Sequence, residues 1–103
     1  MTQIERITQM EERKNRAEAA VAALEKALAD YRDALGDIRR LGDYLAGNQW
    51  IKDFEADEAG RLPADLPRGV LSEDGIYDLL LANRDVQVQL AQVLTAVVKA
   101  GVV

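Results

Sequence analysis

Two long periodic runs of apolar side chains flank an irregular stretch in the middle of the chain. In the first run Ile7, Met10, Ala17, Val21, Leu24, Leu28, Tyr31, Leu35, Ile38 and Leu45 recur with three-then-four spacing. Written as heptads, Ile7, Lys14, Val21, Leu28, Leu35 and Gly42 take one seam position, and Met10, Ala17, Leu24, Tyr31, Ile38 and Leu45 take the other. A stripe sustained that long predicts a helix of coiled-coil type over about residues 3–46. Glu11, Glu18, Glu25, Arg32 and Arg39 follow the second seam position and place charge beside the seam. Ala20, Ala27 and Ala34 line its other edge, small enough for a second helix to come close. Lys14 interrupts the stripe, and Gly36 and Gly42 each cost about 1 kcal/mol against Ala in a helix interior. Continuity is still expected, because Ile38, Leu41 and Leu45 keep the phase.

The second run carries Ile76, Leu79, Asn83, Val86, Leu90, Val93 and Val97, broadened by Leu80 and Leu94. It predicts a helix over about 73–100, with Ser72 as its N-cap, Glu73 and Asp74 in the first turn, and its end near Ala100-Gly101. Asn83 in the seam is a register-setting polar residue. Between the runs, Gly47 suits a left-handed helix end and Asn48 a new cap, so a short helix is expected over about 49–58. Gly60 and Leu62-Pro63 stop it. Residues 59–71 then form an ordered loop, because Leu62, Leu66, Val70 and Leu71 are spaced through it.

The architecture predicted is all-α: a long antiparallel helical hairpin, coiled-coil-like, with a short connecting helix and an ordered loop, in a single domain spanning 1–103. At the standard rise the first helix is about 65 Å long and the last covers only about two thirds of it. Ile4, Ile7 and Met10 then overhang without intrachain cover, which predicts a homodimer with the N-terminal arms packed on a second subunit.

Composition narrows the function. The chain has no Cys and no His, which excludes disulfides, thiolate chemistry, zinc-finger ligation and imidazole base catalysis. Net charge is −5, with a surplus of acid after residue 46, so no basic stripe exists for nucleic acid. No apolar run approaches a membrane span and no secretory h-region opens the chain, so a soluble cytoplasmic protein is expected.

The candidate chemistry lies in the middle stretch. Trp50, Asp53, Phe54, Asp57, Glu58, Arg68, Glu73 and Asp74 form the candidate interaction connector. Asp53 and Asp57, four apart on one helical face, are oxygen ligands of the kind hard cations take, but their spacing does not match a Ca²⁺ loop. The plainer reading is a solvated surface plus acid that complements a helix dipole, so no metal and no cofactor are assigned. Paired carboxylates without a cleft name no reaction, and the expectation is a protein that is not an enzyme. Trp50, Phe54, Tyr44 and Tyr77 are read as the plug where three helices meet, with Arg61 and Arg68 as counter-ions to the acids around them.

Asn48-Gln49-Trp50, the run Asp53 to Gly60, Leu62-Pro63 and the run Arg68 to Asp74 together resemble a small bacterial family known as domain of unknown function 4298. The resemblance covers about residues 4–90, and departs at Pro67, where a Lys is expected. It implies a small, helical, bacterial cytoplasmic protein and no activity. The functional expectation is a non-enzymatic protein–protein interaction or scaffold module, self-associating and open to a further protein partner. The second expectation is a binding module whose acidic connector, residues 50–74, engages a divalent cation or a basic partner.

Overall fold

A computed structural model describes residues 1–102. The described chain is all-α: α1 (Gln3–Ala46), α2 (Asn48–Glu58), a single 3-10 turn (Gly69–Leu71) and α3 (Gly75–Ala100). No strand is found among the described residues. The long first helix, the short connecting helix and the ordered loop are those expected from the pattern. Gly36 and Gly42 do not break α1, since the apolar phase on either side holds. Its start is set by a feature the periodicity does not report: Thr2 Oγ1 accepts the Glu5 N–H at 3.1 Å, satisfying a backbone donor that no helical carbonyl reaches.

The chain divides into two compact units, Met1–Gly36 and a second beginning at Asp37. The first is helix alone. It contains no buried residue. Lys14 pairs with Glu18 at 2.6 Å and Lys26 with Asp30 at 2.7 Å, each one helical turn apart. Such exposed pairs add only a few tenths of a kcal/mol. The expectation that the middle of the seam is buried within the chain is corrected here: Val21 is 64 % exposed, Leu24 51 % and Leu35 44 %. The pattern marks which face is apolar, and does not say what covers it.

The second unit gathers the last turns of α1, the connector and α3. Its buried core consists of Leu71 and Ile76, at 6 % and 3 % exposure, among the described residues. Leu41, Pro67, Val70, Ile76 and Leu79 line one apolar cavity around that core. Gly42 lies where a Cβ would touch Leu80, so its lack of a side chain sits at the approach of α3 to α1.

Three boundary expectations change. Gly47 is extended rather than left-handed, with φ −87° and ψ −177°, and it rather than Asn48 holds the N-cap position of α2. The reason is local: its N–H already bonds the Asp43 carbonyl at 3.0 Å, closing α1. The left-handed glycine of the connector is Gly60, with φ 71°. Arg61 N–H bonds Ala56 O and Gly60 N–H bonds Asp57 O, both at 3.0 Å, which is a Schellman end. Finally, α3 begins at Gly75 with Asp74 at its N-cap, two residues later than expected. Ser72 keeps a capping role, because its hydroxyl accepts the Gly75 N–H at 3.1 Å while donating to Gly69 O at 2.8 Å.

Candidate functional site

The connector is held by three side chains that each reach across sequence. Trp50 and Phe54 lie one turn apart on α2 and stack, with ring centroids 5.1 Å apart and planes at 17°. The stack puts the indole edge over the 3-10 turn, where Trp50 Nε1 donates to the Val70 carbonyl at 2.8 Å. That bond fixes the turn carrying Leu71, which is buried. An amphipathic ring with one donor suits this place, since its body packs while its N–H is satisfied.

Arg68 does the same for the loop. Its guanidinium donates to Asp57 Oδ1 on α2 and to the Pro63 carbonyl, and its Nε donates to Leu66 O at 3.2 Å. The ion pair is half-buried, with side-chain exposures of 32 % for Arg68 and 21 % for Asp57. A charge-assisted bond plus two carbonyl contacts from one rigid fork pins a loop of mixed polarity to a helix. Tyr44, near the end of α1, donates its phenol to Asp53 Oδ2 at 2.6 Å. The hydrogen bond to Asp53, then burial, then the carboxylate's charge push the Tyr44 pKa up to about 12.

These contacts account for Trp50, Asp53, Phe54, Asp57 and Arg68 as structural members of the connector. Phe54, Asp57, Glu58, Arg68 and Glu73 meet, with Leu71 and Ser72, around an open cleft of about 360 Å³. Trp50 does not line it and stacks on Phe54. Asp53 faces a separate hollow of about 280 Å³ with Tyr44, Leu62, Leu66 and Pro67. Asp74 is exposed at the start of α3, where its carbonyl accepts the Asp78 N–H at 2.8 Å. So the structure brings five of the eight candidates to one cleft and leaves Trp50, Asp53 and Asp74 outside it.

Chemically, Asp57 is committed to Arg68, and the carboxylates the cleft presents are those of Glu58 and Glu73. Among the described residues no group of three or more His, Cys, Asp or Glu is placed to hold a metal ion. Asp53 and Asp57, the pair that spacing singles out, have a tyrosine and an arginine as partners instead. The sequence reading missed Gly75 and the Val70 and Pro63 carbonyls. A Cβ on Gly75 would lie 2.5 Å from Gly69 O and 2.6 Å from Ser72 Oγ. The Asp74-Gly75 pair was a visible turn signal; the two carbonyls leave no trace in side-chain identity.

Fold and connector together define a small all-helical protein with a long first helix and, from Asp37 onward, a unit latched by its connector, the elbow. The chain belongs to the family described as Domain of unknown function (DUF4298), whose model matches residues 7–93. That span includes most of α1, the whole connector and most of α3. No curated protein and no solved structure matches the chain. Among the described residues no helix is long and apolar enough to cross a membrane.

Proposed function

We propose that this protein is a non-enzymatic helical interaction module of the bacterial cytoplasm that self-associates as a homodimer and presents its elbow as a rigid scaffold. The supporting observation is the uncovered seam of α1. Ile4, Ile7, Met10, Val21 and Leu24 are all exposed, on a helix otherwise rich in charge. Water contact on such a stripe costs roughly 25 cal/mol per Å² of apolar surface relative to burial, and a partner recovers it. Trp50, Asp53, Asp57 and Arg68 are engaged in holding the connector, which supports a structural role for it.

Size-exclusion chromatography with light scattering at micromolar concentration tests the reading. The full chain runs as a dimer, Ile7→Asp shifts it toward monomer, and Asp57→Ala leaves the assembly state unchanged. A monomeric wild type refutes it.

A further inference from the structure

The self-association just proposed leaves open which way the two arms run, and the charges beside the seam decide this. Number the heptad so that Ile7, Lys14, Val21 and Leu28 are a, and Met10, Ala17 and Leu24 are d. Position g is then Arg6, Arg13, Ala20 and Ala27, and position e is Glu11, Glu18 and Glu25. All of these residues are exposed. In a parallel in-register pair each g residue meets the e residue of the next heptad on the other chain. Arg6 then meets Glu11 of the second copy, and Arg13 meets Glu18, twice over by symmetry. In an antiparallel pair over the same stretch e meets e, and every e residue there is Glu. Extending the antiparallel overlap to Arg32 sets it against Glu11 of the second copy but still opposes Glu18 to Glu25, and reaching Arg39 uses the part of α1 where Ile38, Leu41 and Leu45 are already half-buried.

The seam agrees. β-Branched Ile7 and Val21 at a, with Leu24 at d, favour two strands, and a single Lys at a sets register at some cost in stability. Lys14 meets this need without two bare ammonium groups face to face, since its Nζ turns outward to its own Glu18 at 2.6 Å. Ala17, the next d residue, lets the two helices draw together beside it.

We infer that residues 3–30 of α1 pair with the same segment of a second copy as a parallel, in-register, two-stranded coiled coil, with Lys14 marking the register and Arg6–Glu11 and Arg13–Glu18 as interchain pairs. The inference rests on the self-association reading, and its test separates the two. The chain has no cysteine, so single thiols report cleanly. Met10→Cys and Leu24→Cys are made separately in the full chain and oxidised with glutathione disulfide. Each variant is expected to cross-link to its own kind, because Met10 faces Met10 and Leu24 faces Leu24 of the second copy together only in a parallel in-register pair. A dimer in which neither variant self-cross-links, or in which a disulfide forms only between the two variants when mixed, overturns the in-register parallel pairing and leaves self-association standing. A monomer overturns both. Charge supplies a second measurement that does not depend on a thiol: Glu11→Arg is expected to raise the dimer dissociation constant roughly fivefold, and Arg6→Glu with Glu11→Arg to bring it back. An unchanged constant in Glu11→Arg, or no recovery in the double variant, overturns the pairing, with circular dichroism confirming that each variant is helical.

Discussion

The arm and the elbow use apolar residues in opposite ways. From Met1 to Gly36 the apolar side chains are regularly spaced and none is buried; from Asp37 onward the stripe of α3 is as regular and mostly exposed, yet Leu71 and Ile76 are sealed. The arm's order is local, since a helix satisfies its own backbone and needs no distant residue. The elbow's order is non-local, carried by Trp50 to Val70 and Arg68 to Asp57 and Pro63. Periodicity alone therefore measures readiness to pack, while burial measures packing achieved. The consequence is that point changes in the elbow act on the stability of each chain, and those in the arm on assembly.

Ile76→Ala gives the largest effect expected of this contrast. Removing one of two buried side chains from so small a core costs about 3 kcal/mol in urea unfolding. Leu24→Ala in the arm costs a chain measured below its dimerisation range only a few tenths, because Leu24 is 51 % exposed. Equal losses at the two sites would erase the distinction between the regions.

Next comes Gly75→Ala. Its new methyl would press on the Gly69 carbonyl, a backbone atom that moves only if the 3-10 turn shifts, so about 2 kcal/mol is lost. The same change at Gly36 has the opposite sign. Nothing lies within 4 Å of a Cβ there, and a helix-interior Gly gives way to a better helix former. Thermal unfolding should show a gain of about 1 kcal/mol. One substitution thus reads open helix in the arm and close contact in the elbow.

The smallest effect at neutral pH is that of the Tyr44–Asp53 bond. The protonated phenol is the bonded form and its pKa is raised from 10.0 to about 12. Its contribution to stability is therefore complete below pH 10 and is lost as pH rises through about 12. Phenolate absorbance of Tyr44 is expected to titrate near the upper value, and to fall back toward the lower one in Asp53→Asn. A titration unmoved by that substitution removes Asp53 as the cause.

Much of this was legible in the residues. Three-four spacing foretold α1 and α3, and Gly60 the end of α2; of the aromatics read as a plug where three helices meet, Trp50 and Phe54 stack beside the 3-10 turn, whereas Tyr77 is exposed. Arg68 was visible as a counter-ion, though not that Asp57 would be its partner among the seven acids of residues 50–74. The sealed pair Leu71 and Ile76 could not be told from Leu79 or Val86, which are exposed, because hydropathy is a property of the residue and burial one of its neighbours.

By itself, then, the sequence determined where the helices run, which face of each is apolar and which chemistry is absent from the inventory, because these follow from local geometry and residue type. Only the tertiary structure decided that the connector closes on Val70 and Pro63 carbonyls, that Gly75 must lack a side chain, and that the chain itself leaves the seam of the arm exposed. Those outcomes depend on atoms far apart in sequence coming within bonding distance, and no local pattern encodes that distance.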